Sequence, residues 1–100
     1  MNLQQEVNYV ATVLRKEYLS VNNYSENAPY LLQVSDSQIV LNGKVISGKY
    51  QYTAEIQYDG KTYITNQEVL VKNNSPVMVK ITLINGNDRY TLRTTLSRGM

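Results

Sequence analysis

Eight carboxylates carry most of the acid–base chemistry this 100-residue chain has to offer: Glu6, Glu17, Glu26, Asp36, Glu55, Asp59, Glu68 and Asp88. The sequence contains no His and no Cys. The commonest general base and the commonest transition-metal ligands are therefore missing, and neither a Ser-His-Asp nor a Cys-His arrangement can be built. A catalytic carboxylate pair would need two of the eight to converge in a cleft. Asp36, Asp59 and Asp88 fall in expected turns, where Asp is favoured for backbone reasons alone, and Glu55 falls on the polar face of a strand. They read as solvated charge. Neither Asp36-Ser37 nor Asn85 to Asp88 fits a dedicated calcium loop, and no glycine-rich phosphate loop is present. The expectation is a protein that is not an enzyme, with no cofactor and no metal.

Tyrosine is the other residue that invites a functional reading. Nine Tyr carry all the aromatic content, because Phe and Trp are absent. Tyr50, Tyr52 and Tyr58 lie on one face of an extended stretch from Gly48 to Tyr58, with Gln51, Thr53, Glu55 and Gln57 on the other. Beside Lys49 and Lys61, the three tyrosines form a candidate binding face, of the kind on which single-stranded nucleic acid stacks. The same face carries Ala54 and Ile56, however, so a place in the core with hydroxyls at the rim is the simpler reading. The net charge is only +2. Lys44, Lys49, Lys61, Lys72, Lys80, Arg89, Arg93 and Arg98 are spread along the chain without a basic run, which argues against a nucleic-acid partner unless folding gathers them.

These side chains must be positioned by a helix and a set of strands. Leu3, Val7, Val10, Leu14 and Tyr18 recur at steps of three and four, with Ala11 beside them, and predict an amphipathic helix over residues 3–19. These five are the candidate helix-to-sheet packing residues. Tyr9, Val13 and Leu19 lie at or beyond the edges of that stripe. A polar connection follows, ended by Pro29; it contains Asn23-Tyr24-Ser25, a glycosylation sequon with no secretory context to support it. From Tyr30 onward the pattern is that of a β-meander. Asn42-Gly43 and Asp59-Gly60 are two-residue hairpin signals. The second would set Ile56 opposite Tyr63 and Tyr58 opposite Lys61. A turn centred on Gly86-Asn87 would pair Leu83 with Tyr90, Ile81 with Leu92 and Val77 with Leu96, leaving Lys80, Arg89 and Arg93 on a wet face.

The length suits one domain spanning residues 1–100, with a helix at about 3–19 and a β-sheet at about 30–98. The expected fold class is α+β: an N-terminal amphipathic helix packed across an antiparallel meander of six or seven strands, with the tyrosine strand as its floor. No apolar run approaches the ~20 residues that a spanning helix needs.

Several segments carry a family resemblance. Gln4-Gln5-Glu6-Val7 leads into a helix with Val/Leu spacing. Gln38-Ile39-Val40-Leu41-Asn42-Gly43-Lys44 makes a short hairpin. Val79 to Leu83 with Tyr90 to Arg98 closes the chain. Together they resemble the soluble domain of type IV pilin-like proteins (minor pilins and pseudopilins) of Gram-positive bacteria. The family's cleavage site and hydrophobic N-terminal helix are not in this sequence. The resemblance implies a pilin-like fold that begins after that segment, and a structural subunit of a surface filament, secretion or DNA-uptake apparatus. It also implies other pilin-like subunits as partners, a membrane link only through the upstream helix, and a place at the cell surface of a Gram-positive envelope. The alternative is a small binding module of a phage or mobile element, cytoplasmic and acting through protein–protein contacts.

Overall fold

The computed structural model describes residues 2–21 and 24–97. Asn23 of the sequon, Arg98 and the end of the expected sheet lie outside the described residues. Helix α1 spans Leu3–Leu19 and is followed by eight strands: β1 Tyr30–Val34, β2 Ile39–Leu41, β3 Lys44–Ser47, β4 Gln51–Tyr58, β5 Lys61–Ile64, β6 Glu68–Val71, β7 Val77–Asn85 and β8 Asp88–Leu96.

The helix starts where its first backbone donors find side-chain partners. The Asn2 side chain accepts from the Gln5 N–H at 2.9 Å, and the Gln5 side chain accepts from the Asn2 N–H at 3.1 Å. This reciprocal capping box satisfies two N–H groups that the helix cannot bond itself. Leu3, Glu6, Val10, Ala11, Leu14 and Tyr18 form the buried face. Val7, expected on the stripe, is only partly buried, and Glu6 takes the more central place.

The strands do not form one meander. They make two four-stranded antiparallel sheets, ordered β3-β2-β1-β6 and β5-β4-β7-β8. The expected single sheet with a helix across it is thus corrected, and with it the pilin-like arrangement that the resemblance implies: this is a β-rich α+β fold of two sheets and one N-terminal helix. Tight turns do join β1 to β2, β2 to β3, β4 to β5 and β7 to β8 as neighbours. The connections after β3, β5 and β6 change sheet instead. Period-two alternation tells which face of a strand is buried. It does not tell whether a second sheet or a helix does the burying, and here β4 of one sheet packs near β1 and β6 of the other. Inward residues of both, among them Leu32, Val34 and Val69 from one and Tyr52, Ile56, Ile81 and Leu83 from the other, belong to one core.

The helix therefore has a different task from the one expected. It packs chiefly on β8, with further contacts on β3 and β7. β8 and β3 are edge strands of different sheets, so α1 spans the two edges on one side of the sandwich. Arg15 reaches the β8 hydroxyl of Thr94 at 3.4 Å. The tyrosine strand β4 is the second strand of its sheet, bonded to β5 and β7, and faces the other sheet rather than lying as a floor beneath the helix.

The hairpins hold the registers that the turns dictate. Asn42 (φ 52°) with Gly43 (φ 82°), and Asp59 (φ 52°) with Gly60 (φ 79°), take the left-handed pairs of type I′ turns. Ile56 faces Tyr63, Tyr58 faces Lys61, Leu83 faces Tyr90, Ile81 faces Leu92 and Val77 faces Leu96. Asn42 does more than turn. Its side chain accepts from the Leu31 N–H and its own N–H donates to the Leu31 carbonyl, both at 2.8 Å, which ties the hairpin to β1.

Candidate protein-interaction site

The candidate tyrosine face resolves into structural roles. Tyr52 and Tyr58 are buried and Tyr50 is partly buried, so these three do not present a stacking platform. Their hydroxyl groups and backbone act as joints. The Tyr58 hydroxyl accepts from the Lys72 N–H at 2.9 Å, linking β4 to the end of β6. The Tyr52 hydroxyl sits in a short buried relay: the Tyr50 N–H donates to it at 3.2 Å, it lies 2.6 Å from the Ser47 hydroxyl, and Ser47 donates to Glu6 Oε2 at 2.7 Å. Because the Ser47 proton points to Glu6, the Tyr52 proton points to Ser47. The relay thus ends on the buried Glu6 side chain of α1.

Of the five candidate packing residues, Leu3, Val10, Leu14 and Tyr18 are buried, and Val7 is partly so. Tyr18 also joins a second tyrosine group that sequence reasoning missed. The rings of Tyr18, Tyr24 and Tyr30 stand 5.3–5.5 Å apart, tilted or edge-to-face, an arrangement that aromatic quadrupoles favour. Their position explains the helix end. The Tyr30 hydroxyl donates to the Leu14 carbonyl at 2.8 Å, and the Tyr24 hydroxyl lies 2.7 Å from the Tyr18 carbonyl and 3.0 Å from that of Glu17. The last carbonyls of a helix lack intrahelical donors, and here the Tyr24 phenol serves those of Glu17 and Tyr18. Burial pushes the Tyr30 phenol well above its ordinary range, with Tyr24, Glu17 and Tyr18 adding to the shift.

The carboxylates do not converge. Glu6 is buried and serves the relay, while the other seven are exposed. No group of three or more Asp or Glu that could hold a metal occurs among the described residues.

What the fold leaves unburied is a groove between the outer side of α1 and the β2–β3 hairpin. Tyr9, Val13, Lys16 and Glu17 line it from the helix, and Leu41, Asn42, Lys44, Val45 and Ile46 from the hairpin, around about 320 Å³. Tyr9 is 45% exposed and Val45 53%. Val13 and Ile46 lean partly against the core. Its lining is mixed: Tyr9, Val13, Leu41, Val45 and Ile46 are apolar or aromatic, and Lys16, Glu17, Asn42 and Lys44 are polar or charged.

A register shift shapes the hairpin wall. Val40 faces Val45, but Ile39 faces Ser47. Ile46 is the extra residue of a β-bulge, which re-aims the strand beyond it. Without the bulge Ile46 would sit opposite buried Ile39. With it, Ser47 turns inward to meet Glu6, while Val45 and Ile46 line the groove.

Tyr9 and Val13 stood out in the sequence as apolar positions off the main stripe. Val45 and Ile46 did not, because a bulge leaves no mark in a four-residue strand. Sequence reasoning misses the capping box, whose signal is Asn2 and Gln5 three positions apart, and takes Glu6 as solvated charge although the steps of three and four from Leu3 to Val10 pass through it. No protein-family model matches this chain, and comparison with curated proteins and with solved structures returns no match.

Proposed function

We propose that this domain is a non-enzymatic subunit that works by protein–protein contact, and that a partner polypeptide docks in the groove between α1 and the β2–β3 hairpin. The observation that carries this is the pairing of exposed Tyr9 and Val45 across one concave surface of mixed lining. Contiguous exposed apolar surface marks interaction sites more often than isolated exposed residues do. Removing it from water contributes about 25 cal/mol per Å². Tyrosine is also a residue on which interface energy concentrates. Lys16, Glu17 and Lys44 at the rim would set orientation more than affinity.

A photo-crosslinking residue at position 45, in cells that make the protein, tests this against the same residue at position 90. Tyr90 is similarly exposed but lies on β8 and does not line the groove. A defined crosslinked species from position 45 and not from 90 is expected. Equal, diffuse labelling from both positions would remove the groove as the site.

The wider reading is a subunit of a Gram-positive surface filament, secretion or DNA-uptake apparatus, with other such subunits as partners. It rests on the likeness of the local segments quoted above. The coding sequence upstream of Met1 separates it from a mobile-element binding module. An apolar run of about 20 residues there supports the surface apparatus, and a native start at Met1 sinks it.

A further inference from the structure

The fold gathers cations that are scattered in the sequence. Lys80 and Arg93 are direct cross-strand partners on β7 and β8, and Arg89 lies opposite Ile84 on the same outer face. Glu55 of β4 stands on the other side of Lys80. Two positive side chains directly opposite each other disfavour the sheet that carries them. Among the described residues, none of Lys80, Arg89, Arg93 and Glu55 forms an ion pair or a side-chain hydrogen bond. The three cations face outward with one carboxylate among them, so the face is net positive and its charges are free to meet a ligand.

The surface around the pair is also shaped. A depression of about 400 Å³ is lined by Lys80, Arg93, Glu55, Gln57, Met78 and Thr95 together with neighbouring parts of β7 and β8. Gln57, Met78 and Thr95 form one cross-strand row beside the charged row. The depression therefore offers two cations, one carboxylate, an amide, a hydroxyl and one apolar side chain within a small area, and its net charge is positive.

We infer that this outer face of β4, β7 and β8 binds an acidic segment of a partner polypeptide, with its carboxylates on Lys80 and Arg93. Guanidinium and ammonium groups favour carboxylate oxygens, and the net positive charge of the face is complementary to such a segment. A nucleic acid is the poorer fit. Every tyrosine of β4 lies on the inward side, and the outward residues of the three strands are Gln, Thr, Glu, Met, Lys, Ile and Arg. No ring is there for a base to stack on. The face shares no residue with the groove between α1 and the hairpin, and the inference does not depend on that groove.

Titrating the ¹⁵N-labelled chain with a hexaglutamate peptide at low ionic strength tests this, with hexalysine and oligothymidylate as comparison ligands. Shifts clustered on the amides of β7 and β8 around Lys80 and Arg93 are expected with hexaglutamate and not with hexalysine. The double variant Lys80→Gln, Arg93→Gln should weaken binding roughly tenfold or more, about 1.4 kcal/mol. A Lys49→Gln, Lys72→Gln chain should bind as the parent does, since both side chains are exposed outside the depression. Absence of shifts at β7 and β8, shifts that follow Lys49 and Lys72, or equal or tighter binding of oligothymidylate would each overturn the inference.

Discussion

Tyr30 shows how a single hydroxyl ties this fold to pH. Its proton is donated to the Leu14 carbonyl in a buried site, and burial raises the phenol's pKa well above the ordinary value. The unfolded chain releases that proton near pH 10, while the folded chain holds it. The contribution is therefore complete below about pH 10 and is lost as the pH rises beyond it, by at most about 1.4 kcal/mol per pH unit. Urea denaturation across neutral and alkaline pH should show stability falling above about pH 10. Tyr30→Phe should start roughly 1 kcal/mol less stable, having lost a buried hydrogen bond, and should then fall less steeply. An unchanged alkaline slope in the variant would show that another group governs it. At the other end of the helix, Glu6 accepts a hydrogen bond from the Ser47 hydroxyl.

At the scale of elements, α1 is held at both ends by polar contacts and along its length by an apolar stripe. Leu14 is fully buried within that stripe. Leu14→Ala leaves a cavity at this fully buried site and should cost about 2–5 kcal/mol. Equilibrium urea unfolding measures it, and a near-zero change would mean that the helix is not seated as described. Element boundaries were largely legible in the sequence, because their signals are local. The helix follows from the spacing of Leu3, Val10, Leu14 and Tyr18, and the hairpin registers follow from Asn42-Gly43, Asp59-Gly60 and Gly86-Asn87. Partnership between elements was not legible. The pairing of Leu32 with Val69 across β1 and β6, which makes the first sheet, joins segments with no turn between them. The Val45–Ile46 wall of the groove was hidden for a related reason, since only the bulge turns Ser47 inward.

At the scale of the whole molecule, two sheets closing on one core explain why the tyrosine strand is not a binding platform. Tyr52 and Tyr58 spend their rings on the core and their hydroxyls on neighbouring elements. Among the exposed surfaces are a groove of mixed lining between α1 and the β2–β3 hairpin and a cationic face on the second sheet. The groove bears the central claim, and the most direct measurement is the affinity of the polypeptide identified through position 45. Titration calorimetry should compare the parent chain with Tyr9→Ser. Tyr9 makes a large apolar contribution to the groove while staying half-exposed, so its loss should weaken binding roughly tenfold or more and leave the melting temperature nearly unchanged. Unchanged affinity in Tyr9→Ser would contradict the claim that this groove is where the protein works.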